Sequence, residues 1–274
     1  MSEIIHLPPV MERYEIKYLI PWSYVEPITQ FIRPYCSMDY HSMQAKTENY
    51  FYLVNNLYFD TPGYEFLKQR ISGKQIRFNM RVRTYGDGEK PPYFLEVKHR
   101  TGIQAVVKKF RGTAHQGEWP HLLTDPAYRV PESDDEKDKT NKKLFLHLAI
   151  SYAIKPIILT QYKRRAFFST IDEYARITMD ADMKYRTQDN YDLSTDHGMN
   201  NYDNETIYSP GTQDLGSVVL ELKAPVGQVP LWMLDLIRHF ELKQQGFSKY
   251  VSSTLVSMYD NGNWYMPSDR MFNL

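Results

Sequence analysis

Apolar and charged residues alternate with a period of two along several separate stretches of this chain. In the stretch 76–85, Arg81 and Arg83 fall on one face and Met80 and Val82 on the other. In 93–100, Glu96 and Lys98 share a face and Leu95 and Val97 the opposite one, while Lys108, Lys109 and Arg111 crowd the stretch that follows. Successive side chains of a strand point to opposite sides. The three stretches therefore predict an antiparallel meander that turns near Gly86 and near Gly102. Residues 11–20 repeat the pattern with Arg13, Glu15 and Lys17, and residues 217–224 repeat it with Glu221 and Lys223. The segment Phe94-Leu95-Glu96-Val97-Lys98 is echoed by Val219-Leu220-Glu221-Leu222-Lys223. Further strands are predicted over 49–60, with a turn or bulge at Asn55 and Asn56, over 157–170, which carries Arg164, and over 175–183, which carries Arg176.

Helical spacing of apolar residues appears over 21–36, 64–70, 143–154 and 229–244, the last closed by Gly246. A final helix starts at Ser248 and Lys249. Residues 187–213 are rich in Asn, Asp, Tyr, Gly and Ser and lack a period, so they read as a polar surface insertion. With 274 residues, the whole chain, 1–274, is expected to form a single domain of the α+β class.

The formal net charge is +0. Any basic site must therefore be local, which argues against a nucleic-acid partner. The single cysteine, Cys36, excludes an intrachain disulfide and a cysteine-built zinc site, and it reads as a small apolar residue near a helix end. No apolar run is long enough to span a bilayer, and residues 1–20 lack the apolar core of a signal peptide, so the expected location is cytoplasmic. Phosphate-binding loops, paired metal-binding histidines and a nucleophile-elbow serine motif are absent.

What remains is the set of charges in register. A lone Arg-x-Arg strand is most often a solvated face. Several strands aiming charge the same way call for another account. If they close into a barrel, that face is the interior. Buried cations need partners, and Glu15, Glu96 and Glu221 are too few to neutralise them all. A positive lumen suits a chain of phosphates, which arginine grips bidentately and lysine as a point charge. The carboxylates would then hold Mg²⁺ or Mn²⁺ against those phosphates.

These residues resemble the polyphosphate polymerase domain of the VTC type, within the CYTH or triphosphate-tunnel superfamily. The resemblance runs from about Met11 to Tyr259. Its carriers include Glu15-Ile16-Lys17-Tyr18, Leu57-Tyr58-Phe59-Asp60-Thr61, Arg81-Val82-Arg83, Leu95-Glu96-Val97-Lys98, Tyr162-Lys163-Arg164-Arg165-Ala166-Phe167, Arg176-Ile177-Thr178-Met179-Asp180, Leu220-Glu221-Leu222-Lys223 and Phe247-Ser248-Lys249-Tyr250. It implies a closed eight-stranded antiparallel β-barrel with flanking helices, ATP and a divalent metal bound inside, and transfer of ATP's terminal phosphate to a polyphosphate chain. Lys17, Arg81, Arg83, Lys98, Arg164 and Arg176 would grip phosphates, Glu221 would hold the metal, and Ser248 and Lys249 would bind the chain near one mouth. On the third meander strand the register leaves Lys108 or Lys109, with Lys108 preferred. Relatives that sit in membranes carry a transmembrane region that is not seen here, which leaves a separate membrane partner as an expectation. Hydrolases of the superfamily usually begin with Glu-x-Glu-x-Lys, and here Arg13 replaces the first glutamate. A triphosphatase of the same fold and a non-catalytic polyphosphate-binding module are the alternatives.

Overall fold

The computed structural model describes residues 13–47, 49–86, 90–101, 106–172, 174–194, 198–201 and 218–260. Its centre is one antiparallel sheet. The strands are β1 (Arg13–Ile20), β2 (Cys36–Met38), β3 (Tyr52–Asp60), β4 (Arg77–Tyr85), β5 (Tyr93–Thr101), β6 (Val106–Ala114), β7 (Lys155–Ser169), β8 (Arg176–Thr187), β9 (Asn200–Asn201) and β10 (Val218–Pro225). Eight of them follow one another in the order β1-β10-β8-β7-β3-β4-β5-β6, while short β2 pairs with β7 and β9 with β8. The helices are α1 (Val25–Ile32), α2 (Tyr40–Gln44), α3 (Glu65–Ile71), α4 (His121–Thr124), α5 (Glu136–Ser151), α6 (Leu231–His239) and α7 (Lys249–Asp260).

The alternation in sequence is what curls and covers this sheet. Outward-facing Ile20, Ile177, Leu220 and Leu222 pack against Ile28 and Ile32 of α1 and Trp232, Met233 and Leu236 of α6. Leu57, Met80, Val82, Leu95 and Val97 pack against Phe145 and Ala149 of α5. A third cluster lies on the inward face. There Val54, Tyr58, Tyr162 and Val219 meet Phe247, Tyr250 and Val251, so α7 covers part of the concave side.

The expected closed barrel is an open one. Edge strands β1 and β6 approach within 8 Å between Cα atoms, but among the described residues no ladder joins them. The reason is local. The free edge of β1 is already occupied: Tyr18 bridges to Gln244, and the Gln245 amide donates to the Lys17 carbonyl at 2.9 Å. A backbone edge has one set of donors and acceptors, so β6 cannot pair there. Side chains cross the gap instead, with Lys98 of β5 ion-paired to Glu15 of β1 at 2.5 Å.

Other departures have equally local causes. Asn55 and Asn56 form neither turn nor bulge. Both are fully buried within β3, where the Asn55 amide donates to the Gly86 carbonyl and Asn56 accepts from Arg83. The helix expected over 21–36 ends at Ile32, and Cys36 sits in β2 beside Ser169. The helix expected over 229–244 ends at His239, closed by Glu241 in the left-handed region with the Leu242 amide donating to the Ile237 carbonyl, so Gly246 does not cap it. The charged run before residue 143 opens α5, with Asp135 accepting from the Asp138 amide as the N-cap. Of the segment 187–213, Leu193 and Met199 are buried against the α5 side of the sheet and residues 200–201 form β9. Residues 195–197 and 202–213 lie outside the described residues, as do the turns at 87–89 and 102–105.

α5 docks on β6 at Gly112, where a Cβ would lie 2.9 Å from Lys142 Cγ and 3.0 Å from its backbone nitrogen. Gly112→Ala is expected to cost about 1–3 kcal/mol, since backbone on both sides must shift. Gly63→Ala, with nothing within 4 Å, is expected to stay within about 0.5 kcal/mol. Urea denaturation of the two variants checks this. Burial also pushes the Cys36 thiol up to about 12. In native protein at neutral pH it should resist alkylation, and react once unfolded; mass spectrometry reads the difference.

Candidate functional site

The inward faces of β1, β4, β5, β6, β7 and β10, with the segment leading into α7, enclose a cavity of about 660 Å³. Among the described residues, eleven lysine and arginine side chains line it against two carboxylates, Glu15 and Glu221. The strand parity read from sequence produces this directly. On β4 and β5 the opposed pairs are Arg83 with Phe94, Arg81 with Glu96, Asn79 with Lys98 and Arg77 with Arg100. On β6, Arg111 faces Glu96 and Lys109 faces Lys98.

Lys17, Arg81, Arg83, Lys98, Lys109, Arg164, Lys223, Ser248, Lys249, Glu15 and Glu221 all line this one cavity. Three expected members do not. Lys108 pairs with His99 on the opposite face of β6, so the third-strand residue that faces the cavity is Lys109. Arg176 shares the inward parity of Asp180, but its guanidinium turns to Asp39 at 3.2 Å and lies 4.5 Å over the Phe168 ring. Glu96 sits behind the cavity wall, 1% exposed. Its Oε2 accepts from Arg81 Nε at 2.8 Å, and its Oε1 lies 2.6 Å from Arg111 Nη2 and 2.5 Å from Lys109 Nζ. With both oxygens held by three cations, Glu96 anchors the basic wall and has no room for a metal.

The other cations are held in the same way. Asp180, fully buried, takes Arg164 bidentately at 2.7 and 2.8 Å and Lys249 at 2.6 Å. Burial alone would raise its carboxyl, yet Arg164 and Lys249 hold it well below the usual range. Arg83 donates to Asn56 Oδ1 at 2.8 Å and to the Tyr162 hydroxyl at 3.2 Å. Arg81 reaches the Tyr58 hydroxyl at 3.0 Å. Asp60 accepts from the Phe66 and Leu67 amides and from the Tyr250 hydroxyl, tying α3 and α7 together behind the site. Sequence reasoning left out the roles of Asp180, Asp60, Tyr58 and Tyr162. Only their places in the Leu57-Tyr58-Phe59-Asp60-Thr61, Tyr162-Lys163-Arg164 and Arg176-Ile177-Thr178-Met179-Asp180 segments signalled them.

Glu15 and Glu221 differ from Glu96. Each stands opposite a lysine across the β1–β10 pair, Glu15 with Lys223 and Lys17 with Glu221. Glu221 is 3.0 Å from Lys223 and 3.9 Å from Lys17. Burial would raise both carboxyls, but Lys98 brings Glu15 down to about 2 and Lys223 and Lys17 hold Glu221 well below its usual range. Burial pushes the Lys17 ammonium down to about 8, and its Nζ donates to the Phe247 carbonyl at 2.8 Å. Among the described residues no group of three acidic, histidine or cysteine side chains forms a metal site. Two ionised carboxylates in a phosphate-sized cationic cavity do fit Mg²⁺ or Mn²⁺, which are held by one or two carboxylates with substrate phosphates completing the shell.

A family model described as the VTC domain matches residues 12–258. A search of curated proteins returned no match. Among solved structures, a proposed adenylate cyclase from Bacillus halodurans is similar at 13% identity and a TM-score of 0.46, covering 87% of this chain and 96% of its own. A proposed adenylate cyclase from Vibrio parahaemolyticus is similar at 11% identity and a TM-score of 0.45, covering 89% and 99%. The Mimivirus capping enzyme triphosphatase is more distant, at 11% identity and a TM-score of 0.33, covering 84% and 89%. Among the described residues no helix is long and apolar enough to cross a membrane.

Because Glu96 is buried among cations, its stability contribution has a defined pH sense. Burial would raise its carboxyl, but Arg81 and its neighbours hold it well below the ordinary 4.5. The stabilisation is thus present above that ordinary value and lost as pH falls below it. Glu96→Gln is expected to destabilise by about 3–5 kcal/mol at pH 7, since it strands buried cations, and to flatten the acid limb of the stability profile. Denaturant titrations at several pH values check both. Lys109→Ala should weaken tripolyphosphate binding while Lys108→Ala should not; calorimetry distinguishes them.

Proposed function

This chain belongs to the VTC domain family, and from that premise we propose that it is a polyphosphate polymerase that moves the terminal phosphate of ATP onto the end of a polyphosphate chain and releases ADP. The observation that carries this is the excess, among the described residues, of eleven cations over two carboxylates lining one cavity. Few ligands other than a string of phosphates repay the cost of assembling so much net positive charge.

Phosphoryl transfer asks a protein for positioning and charge neutralisation rather than covalent help. Arg81, Arg83 and Arg164 are suited to the transferring phosphate, because each lines the cavity and is fixed by an acceptor behind the wall. Lys98, Lys109 and Lys249 supply further point charges around it. Lys17 and Ser248 lie where β1 meets the entry to α7, and would hold the chain at that side. Glu221, with Glu15 across the strand pair, would hold Mg²⁺ or Mn²⁺, which when bound supplies Lewis-acid neutralisation at phosphate oxygens. Phosphate binding would draw Lys223 and Lys17 off Glu221 toward the anion.

The choice of acceptor favours a phosphate over water. Both cavity carboxylates are engaged by lysine, Glu15 by Lys98 and Glu221 by Lys223. Neither is a ready general base for activating water. The terminal phosphate of a chain is already an anionic nucleophile and needs none.

Purified protein incubated with ATP, Mn²⁺ and a short polyphosphate primer, followed by ³¹P NMR, should show growing internal-phosphate signal matched by ADP. Orthophosphate without internal phosphate would instead establish a hydrolase, and an unchanged spectrum would leave a binding module. Arg83→Met is expected to lower the rate by roughly a hundredfold or more. Glu221→Gln should remove metal-dependent turnover while circular dichroism stays native. Unaltered turnover in that variant would sink the metal role.

A further inference from the structure

The phosphate grips described above lie around the opposed residues Arg81 and Glu96. Four residues further along both strands, toward the outer part of the cavity, Arg77 of β4 stands directly opposite Arg100 of β5. That is a displacement of about 13 Å. Arg70, in the last turn of α3, lines the cavity beside them. Like charges set directly opposite on a sheet are destabilising. Where this protein uses arginine to build its wall, it supplies an acceptor, as Glu96 and Asp180 show. At the outer pair no carboxylate does so among the described residues. Among the described residues neither Arg77 nor Arg100 is ion-paired. Arg77 is held by the Lys74 carbonyl, and the buried Nε of Arg100 has no hydrogen-bond partner. Burial, and then the charges of Arg70 and Arg100, push the Arg77 guanidinium down to about 10.

We propose that Arg70, Arg77 and Arg100 form a second anion subsite in the outer part of the cavity, which takes phosphates of a polyphosphate chain beyond the three nearest the transfer point. The inference rests on the polymerase reading, since only a ligand with a row of phosphates reaches both places at once. Its consequence is discrimination by chain length. A compact triphosphate satisfies the inner grips alone. A longer chain also satisfies the outer arginines and relieves their mutual repulsion.

The test compares two probes, inorganic tripolyphosphate and long-chain polyphosphate, by calorimetry on the whole chain. In the double variant Arg77→Gln, Arg100→Gln, affinity for the long chain should fall about tenfold or more, as expected for lost charge-assisted hydrogen bonds, while tripolyphosphate affinity is unchanged. The melting temperature without ligand should hold or rise, because a repulsion has been removed. Arg100→Lys, which keeps the charge, should retain most long-chain binding. Equal loss for both probes, or loss for neither, overturns the subsite. So does a fall in melting temperature in the double variant. Wild-type protein that binds neither probe would overturn the polymerase reading itself, and is thereby told apart from failure of the subsite alone.

Discussion

A buried guanidinium needs a fixed acceptor beside it, and the way this protein provides acceptors determines the rest of its site. Glu96 and Asp180 are both withdrawn behind the cavity wall, at 1% and 0% exposure. Each serves several cations at once: Arg81, Lys109 and Arg111 on Glu96, and Arg164 and Lys249 on Asp180. One anion shared among two or three cations leaves the wall with net positive charge while those cations are held in place. Donors fixed in this way need no reorganisation when a phosphate arrives.

The same economy links the sheet edge to the site. Residues 244–247 run along the free edge of β1, where Gln245 pairs with the Lys17 backbone and Phe247 accepts from the Lys17 side chain. That run keeps the barrel open on this side. It also delivers Ser248 and Lys249 to the cavity at the start of α7, and Lys249 then reaches Asp180. Tyr250 follows and closes on Asp60, which in turn holds the first turn of α3. The helix on the concave face and the helix bearing Arg70 are therefore tied to one carboxylate.

Two glutamates show how far chemistry depends on neighbours. Glu96 and Glu221 occupy the same place in nearly identical segments, each two residues before a lysine on an apolar strand. Glu96 has a cationic strand on either side and is saturated. Glu221 is flanked by Lys17 on β1 and by Thr178 on β8, and it lines the cavity with Lys223 and Lys17 beside it.

Strand parity is a property of the chain itself, because consecutive side chains must alternate sides. The sequence alone therefore determined that Arg81 would share a face with Arg83, Glu96 with Lys98 and Glu221 with Lys223 within their strands. The same parity extends to Arg77 and Arg100. What tertiary structure decided was everything that depends on which strand, edge or corner comes next. It turned Arg176 to Asp39, a residue 137 positions away in the chain. It chose Lys109 over Lys108, through a register set across the meander. It left β1 closed by residues 244–247 rather than by β6. And it buried one of two like glutamates behind the wall as an anchor and left the other lining the cavity, because a carboxylate's role follows from the charges packed around it, and those come from parts of the chain that only folding brings together.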